Sequence, residues 1–495
     1  MTNELIAASS LREKPLPLRL ALPYSAGQVV DSALTNALGT FLLFYVTAVC
    51  GLGPGLAGVA LGIGLVLDAV LDPVIGSVSD SLTSRLGRRL PFMLIGLPLT
   101  TVAFILIFSI PKGLTQPELF AWVALLSIAI RASESLFNLP FQAVGAELTD
   151  DHAGRGALMA WKFGVGTAGG IAVVALGFGV FFTGDNGLSR HESYFPFAVS
   201  SSLVFLLAGL LACWSVFVTQ DRQHPPTTTE KGFLRRFRLE VAELLRNRSF
   251  LTLFACSVLF FSGLGVAGSL GLHLGTFFWR FSASQMQEWT LAVPVGFFLG
   301  VPLAAIVVKI MEKRTALVIG MAFVGFGVSL PPVLRVYGLL PLDGGALSTL
   351  LIGTNFATGA VAALAGISIA AMLADAIDEH EYLFNARREG LFFAALTFAA
   401  KASAGVGSLV AGLVLQAIDF PSGVTKLEQA SNLPQHTIDL LGLFAGPISG
   451  SFFFGSAVAC TLYRLDSKKH SAILRSLRAR ASGVDARSSP QEVQI

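Results

Sequence analysis

The sequence predicts an all-α integral membrane protein with twelve transmembrane helices in two six-helix halves. Of its 495 residues, 53% are hydrophobic and 13% are charged, whereas soluble domains are roughly a quarter charged. Many apolar segments also reach the ~20 residues that a helix needs to cross a bilayer. We place the spans at residues 22–47, 55–78, 90–110, 118–146, 157–182, 195–218, 250–278, 287–309, 315–336, 346–374, 391–418 and 438–463.

The distribution of basic residues predicts the topology. About 26 of the 34 Lys and Arg lie in the N-terminal segment 1–21, in the loops that follow even-numbered spans, and in the C-terminal tail 464–495. Because basic residues favour the cytoplasmic side, we expect both termini in the cytoplasm and the chain in the cell (inner) membrane.

A polar linker, residues 219–249, separates two halves of six spans each, residues 22–218 and 250–463. Twelve spans with a central cytoplasmic linker predict the major facilitator architecture. In that architecture the substrate binds between the halves near the middle of the membrane. The fold alone does not define a function, so the polar residues inside the spans carry the functional prediction.

Two aspartates, Asp68 and Asp72, lie one helical turn apart in the otherwise apolar second span. Positions i and i+4 share one helix face. Each carboxylate at mid-bilayer costs at least about 2.5–3.5 kcal/mol on insertion scales, so the pair requires a compensating partner. We interpret it as a cation or proton site of a transporter, with Na⁺ as the candidate metal ion. A structural salt bridge between helices is the alternative.

Further polar residues lie at similar depth in other spans: Asp31, Glu134, Asn138, Lys162 and Lys401. Opposite charges at one depth in different helices indicate a shared cavity that water can enter. Candidate partners of Lys401 are Asp31, Asp68 and Asp72. The alternative for Glu134 is neutralisation by Arg131, three residues earlier on the same helix.

Charged clusters flank two of the predicted cytoplasmic loops: Asp80, Arg85, Arg88, Arg89, Asp375, Asp378, Arg387 and Arg388. We keep two interpretations open. These residues form salt bridges between the halves that close the cytoplasmic side, or they only set the topology.

Motifs of other protein classes are missing from the sequence. It contains no P-loop GxxxxGK[ST], HExxH, GxSxG or Cys/His cluster, so we expect neither an ATP-driven pump nor an enzyme, and no cofactor. A membrane enzyme and a non-transporting receptor are the remaining, less favoured classes. The basic loops adjoin the predicted spans, so we expect lipid headgroups and not nucleic acid as their partners.

Three stretches carry a family resemblance: residues 67–92, residues 375–401, and Phe137-Asn138-Leu139-Pro140-Phe141. The first resembles the second-helix signature of the glycoside–pentoside–hexuronide:cation symporters, and the second resembles their signature around helix 11. The similarity extends more thinly from about Tyr24 to about Tyr463.

The resemblance implies roles for the matching positions. Asp68 and Asp72 match the cation-site aspartates of the family, and Ser135 and Thr397 match hydroxyls near that site. Oxygen ligands suit a hard cation such as Na⁺. A proton is the alternative coupling ion. Lys401 matches a lysine near the cation site and the cavity, and we expect it to couple the two.

The implied substrate site consists of Asp31, Glu134, Asn138, Gln142 and Lys162. Lys162 stands where the family has a sugar-binding arginine and lacks the bidentate fork of that residue. Asn138 and Gln142 replace an aspartate and a tryptophan of the family. These replacements argue against a melibiose-like substrate. We therefore predict a Na⁺- or H⁺-coupled symporter of a sugar or glycoside that works by alternating access. The alternative is a sodium-coupled symporter of a lysophospholipid or another amphipath.

Overall fold

The computed structural model describes residues 16–82, 84–149, 151–184, 187–222, 240–423 and 433–481, without the side chains of residues 65–70, 73, 77, 80, 81, 152, 404 and 481. The helices are α1 (Leu18–Ala37, continued by π-helical turns Leu38–Leu42 and Tyr45–Val49), α2 (Pro54–Ser81), α3 (Leu90–Ile107), α4 (Gln116–Glu147), α5 (His152–Leu176, continued by Gly177–Phe181), α6 (His191–Val218), α7 (Arg248–His273, continued by Leu274–Phe278), α8 (Ala283–Ile310), α9 (Lys313–Val336), α10 (Gly344–Phe384), α11 (Glu389–Ala417), α12 (Gln435–Thr461) and α13 (Ser467–Ala481).

Eleven of the first twelve helices are long and apolar enough to cross a membrane within the described residues. The twelfth is α2, a helix of 28 residues that includes the apolar segment Pro54–Gly64. At 1.5 Å per residue, a helix of this length is about 42 Å long and exceeds the hydrocarbon core. The predicted fold class of a multi-pass helical membrane protein is confirmed.

Helix α10 ends ten residues later than predicted, because it runs to Phe384 and not to residue 374. The predicted end is the point where the hydropathy falls. Beyond the bilayer, a helix can continue through charged residues because their side chains are in water. The helix ends where Asn385 adopts a left-handed conformation with φ 51°, a common helix terminator. Asp375 and Asp378 therefore lie on a helix and not in a loop, which corrects the prediction.

The two halves repeat one packing pattern. In the first half α1 packs against α5 and α6, while α4 packs against α2 and α3. In the second half α7 packs against α11 and α12, while α10 packs against α8 and α9. Every one of these pairs recurs six helices later, as in transporters built from two parallel repeats.

The halves are in close contact on one side of the membrane. We call the side of α13 and of loop 385–388 the tail side, and the opposite side the far side. On the far side, a Cβ atom at Gly58 in α2 would lie 3.0 Å from the Cα atom of Gly412 in α11. Thr47 Oγ1 also lies 3.0 Å from Nε2 of His273, which joins α1 to α7.

On the tail side the same two helices are apart. Gly76 follows Gly58 by 18 residues, or about five turns, so it faces in the same direction. Gly390 likewise precedes Ser408 by 18 residues, and the carbonyl oxygen of Ser408 contacts α2 near Gly58. Within the described residues, a Cβ atom added at Gly76 or at Gly390 would meet nothing within 4 Å. The halves are therefore in close contact on the far side, and these tail-side positions of α2 and α11 do not touch.

Candidate functional site

An ion pair crosses the interface between the halves near the middle of α2 and α11. Lys401 Nζ lies 3.3 Å from Asp72 Oδ2 and 3.5 Å from Ser135 Oγ on α4. The other carboxylate oxygen, Asp72 Oδ1, is buried and has no hydrogen-bond partner among the described residues. This oxygen is a ready ligand for a cation or a proton.

The remaining predicted cation ligands are placed differently. Thr397 lies one turn before Lys401 on α11, and its hydroxyl donates to the carbonyl oxygen of Phe393 at 3.0 Å. That hydroxyl is bonded along its own helix. Asp68 lies one turn before Asp72 on α2, but its side chain lies outside the described residues. Within the described residues there is no cluster of three or more His, Cys, Asp or Glu that could hold a metal ion.

The predicted substrate residues form a hydrogen-bonded network between α1, α4 and α5, which we call the polar network. Gln28 Nε2 donates to Asp31 at 2.7 Å, and Asn138 Nδ2 donates to Asp31 at 3.4 Å. Gln142 Nε2 donates to Gln28 at 3.1 Å and to Asn138 at 3.2 Å. Lys162 Nζ donates to Gln142 Oε1 at 2.5 Å. Hydrogen-bond donors and acceptors thus alternate along the polar network.

Aromatic rings hold Lys162 in place. Its side chain is buried, and Nζ lies 4.7 Å from the centre of the Phe141 ring and 5.8 Å from that of Tyr24. The Tyr24 hydroxyl donates to the carbonyl oxygen of Phe141 at 2.5 Å and fixes both rings. Cation–π contacts stabilise the ammonium group away from water, and the group has further N–H donors besides the one bonded to Gln142.

Glu134 links the polar network to the ion pair. It is 3% exposed and lies near Asp31. Arg131 Nη1 lies 4.0 Å from Glu134 Oε2, so the two residues form a long ion pair, as the alternative interpretation predicted. The next residue, Ser135, contacts Lys401, so α4 joins both sites.

Gln28 is a network residue that the sequence analysis missed. It lies three residues before Asp31 on α1 and contacts both Asp31 and Gln142. The available signal was an uncharged polar residue one turn from a carboxylate inside an apolar span. The search for charged residues alone passed over it.

The charged cluster of the first half is built around one carboxylate. Arg88 and Arg89 are buried and both pair with Glu147 at the end of α4. Arg85 is exposed, and the side chain of Asp80 lies outside the described residues. These pairs join α4 to the start of α3, within one half.

The cluster of the second half is built around Arg387. Its guanidinium lies 3.0 Å from Asp378 and 2.8 Å from Glu381. The hydrogen bond to Glu381 raises the pKa of Arg387 above its usual range, so this residue stays charged. His470 of α13 also contacts Asp378 at 3.0 Å, which docks the tail on α10.

Two members of that predicted cluster have other partners. Asp375 pairs with Lys313 at the start of α9 at 2.7 Å, and Arg388 pairs with Glu240 in the linker at 2.9 Å. The ion pairs described here for these two charged clusters lie within one half or between a half and the linker or tail. A gate between the halves therefore stays a prediction for the conformation that is closed on the tail side.

Two six-helix repeats with an ion pair between them are typical of the major facilitator architecture. The family described as MFS/sugar transport protein matches residues 23–467. The chain belongs to this family, and the predicted family and architecture are confirmed.

Two similar relatives and one solved structure illustrate the kinship. The isoprimeverose transporter of Lactiplantibacillus pentosus is 25% identical over 470 residues, covering 93% of this chain and 91% of that protein. An uncharacterized symporter of Synechocystis sp. is 26% identical, covering 96% of this chain and 99% of the relative. The crystal structure of a D-xylose–proton symporter has a TM-score of 0.61 at 14% identity, covering 94% and 99% of the two chains. That structural similarity supports the fold alone.

Proposed function

We propose that this protein is a cation-coupled symporter that moves a sugar or glycoside by alternating access. The observation that carries the proposal is the ion pair between Asp72 and Lys401, which crosses the interface between the halves. It lies beside a polar network rich in donors and acceptors. In a transporter that couples two solutes, the ion site and the substrate site must both affect the interface between the halves. Helix α4 connects the two sites.

The coupling ion binds at Asp72 in this proposal, with Asp68 as the second carboxylate. The buried Asp72 Oδ1 has no hydrogen-bond partner among the described residues, so an incoming cation satisfies it. Ser135 is a further oxygen close by, and Thr397 becomes one only if it leaves Phe393. Cation binding weakens the attraction between Asp72 and Lys401, and so weakens the contact between the two halves. Na⁺ and H⁺ both fit this scheme.

The substrate binds at the polar network in this proposal. Amide groups of Gln28, Asn138 and Gln142 both donate and accept, as a polyhydroxylated sugar requires. Asp31 accepts hydrogen bonds and Lys162 donates them. A sugar hydroxyl that donates and one that accepts therefore each find a partner. The name of the similar isoprimeverose transporter supports this class. The lysophospholipid alternative finds no support in the family match or in these relatives.

The tail side faces the cytoplasm of the cell (inner) membrane in this proposal, because the basic loops and tail lie there. The described conformation is then open inward. Binding from the opposite side requires the far-side contacts at Gly58, Gly412, Thr47 and His273 to separate.

The test is uptake into proteoliposomes that hold the full-length protein. A panel of labelled xylosides, galactosides, glucosides and glucuronides is offered with an imposed Na⁺ gradient, an imposed H⁺ gradient, or none. We expect one gradient to drive accumulation, and we expect Asp68→Asn/Asp72→Asn to lose it. The matched control is Asp343→Asn, an exposed carboxylate in a surface ion pair. Uptake that no gradient alters refutes coupling.

A further inference from the structure

The C-terminal helix α13 folds back on α10 and is held there mainly by polar contacts. No residue from Ser467 to Arg480 is fully buried, although the half-buried Ile473 packs against the apolar core of the second half. Because the helix covers little apolar surface, the hydrophobic effect contributes little to its docking. Charged and hydrogen-bonding groups therefore decide whether α13 stays on α10.

His470 makes the central contact of the docked helix. Its Nε2 atom lies 3.0 Å from Asp378 Oδ2, and its Nδ1 atom lies 3.5 Å from Asp375 Oδ1. Both carboxylates belong to α10 and lie three residues apart, on neighbouring turns of one face. The imidazole ring thus bridges two acidic side chains of another helix.

The bridge depends on the protonation of the ring. A neutral imidazole has one N–H donor and one acceptor nitrogen, an imidazolium has two donors, and an ionised carboxylate only accepts. Neutral His470 therefore satisfies one of the two aspartates and turns a lone pair toward the other. Both contacts are favourable at the same time only when the ring is protonated.

The charges around this contact come from four elements. They are Lys313 of α9, Asp375, Asp378, Glu379 and Glu381 of α10, Arg387 of the loop that follows, and Lys469 of α13. Burial raises the pKa of Glu379 above its usual range, and the charges of Lys469 and His470 oppose that rise. Four carboxyl groups thus adjoin three permanent cations, and a protonated His470 supplies a fourth positive charge.

The histidine of α10 itself, His380, has different surroundings. It is fully buried, and its ring centre lies 4.7 Å from that of Phe384. Burial lowers the pKa of His380 below its usual range, and the charges of Glu243 and Arg388 act on it in opposite directions. This ring therefore stays neutral, and His470 is the histidine that brings a charge to the contact between α13 and α10.

The docked helix also holds the corner between α10 and α11. Arg480 Nη1 donates to Asn385 Oδ1 at 3.0 Å and to the carbonyl oxygen of Tyr382 at 3.2 Å. The guanidinium also lies 4.7 Å from the centre of the Tyr382 ring. Asn385 directly follows α10, and the loop that it begins leads into α11, the helix of Lys401. Release of α13 would therefore free the tail-side start of α11.

We propose that α13 is a pH-dependent latch on the second half, docked on α10 while His470 is protonated and released when His470 loses its proton. An imidazole ordinarily changes its charge between about pH 5 and pH 8. Docking is therefore strongest at the acidic end of this range and is lost as the pH rises. In the orientation of the proposed function, the latch responds to the pH of the cytoplasm.

The test measures the position of α13 by double electron–electron resonance on the full-length protein in lipid nanodiscs. Spin labels are attached to cysteines introduced at two exposed positions, Lys309 at the end of α8 and Arg475 on α13. Cys50, the one native cysteine that is not fully buried, is changed to Ala. We expect one narrow distance at about pH 5.5 and a broad, longer distribution at about pH 8.5.

Two variants of His470 are expected to act in opposite directions. His470→Arg is charged at both pH values, so we expect the narrow distance at both. His470→Gln is uncharged at both, so we expect the broad distribution at both. The matched control is His436→Gln, which changes an exposed histidine in the first turn of α12 and should leave the wild-type response to pH intact.

Three outcomes would overturn the latch. The first is a wild-type distribution that is the same at both pH values. The second is a response to pH that persists in His470→Gln, because another group would then control docking. The third is a broad distribution for His470→Arg at the acidic pH, because a permanent charge would then fail to hold the helix. None of these measurements needs a sugar, so each leaves the proposed function to its own test.

Discussion

Removing the ion pair between the halves should cost more when one partner is removed than when both are. Lys401→Gln leaves the Asp72 carboxylate facing a buried region without its cation, and Asp72→Asn removes the carboxylate that lies 3.3 Å from the ammonium group. Uncompensated buried charge is strongly destabilising. The double variant has no such charge, so we expect it to be more stable than the sum of the single effects predicts.

The magnitude follows from the distance. At 3.3 Å and an effective dielectric constant of about 20, the Coulomb attraction is about 5 kcal/mol. Desolvation offsets part of it, and the Asp72 side chain is 26% exposed, so water screens the pair. We expect a coupling energy of about 2 kcal/mol, which lies between exposed and fully buried pairs.

The assay is thermal denaturation of the purified wild type, both single variants and the double variant in one detergent. We expect both single variants to melt a few degrees below the wild type and the double variant to recover part of that loss. The control cycle uses the surface pair Arg335 and Asp343, where a coupling of about 0–1 kcal/mol is expected. Effects at Asp72 and Lys401 that add within about 0.5 kcal/mol would refute the reasoning.

Three further predictions address the substrate network, the far-side contact and the first charged cluster. Lys162→Gln removes a charged donor to ligand hydroxyls, so sugar affinity by calorimetry should fall about tenfold to a hundredfold; unchanged affinity would remove Lys162 from the site. Gly412→Leu places a side chain against the backbone of Gly58, so spin labels on the far-side ends of α2 and α11 should move several ångströms apart; unchanged distances would contradict the close contact. Glu147→Gln takes the carboxylate from two buried guanidinium groups and should cost about 3 kcal/mol, measured as a lower melting temperature than that of Glu118→Gln; equal melting would show the pairs to be dispensable.

Helix positions were predictable from the sequence because the bilayer imposes a length on every apolar segment. Eleven predicted spans end within a few residues of the observed helices. Helix α10 was the exception, since hydropathy reports where the lipid ends and not where the backbone stops being helical. The helix stops at Asn385 because this residue adopts a positive φ. A sequence does not show at which non-glycine residue the backbone adopts such a conformation.

Site membership was predictable in part for a similar physical reason. A polar residue in an apolar span is costly, so Asp31, Asn138, Gln142 and Lys162 stand out and prove to be hydrogen-bonded neighbours. Which residues meet depends on helix rotation, which the sequence does not specify. That Asp72 is a partner of Lys401 thus became clear only from the structure.

The cavity of about 400 Å³ on the far side of the polar network was not predictable from the sequence. Its wall combines a few residues from each of seven helices, and most are apolar residues that look like ordinary packing or lipid-facing positions. Only their arrangement leaves the space open. The same holds for the separation at Gly76 and Gly390, which depends on the angle between two helices.

The central claim is that an ion at Asp72 and a sugar at the polar network favour each other's binding. The most direct measurement is the Kd of the transported sugar for wild type and Asp72→Asn, with and without saturating Na⁺, and at two pH values. Coupling of 1–3 kcal/mol predicts that the coupling ion lowers the wild-type Kd about 5- to 150-fold and leaves the Kd of Asp72→Asn unchanged. A variant Kd that responds to the ion as strongly as the wild type would contradict the account.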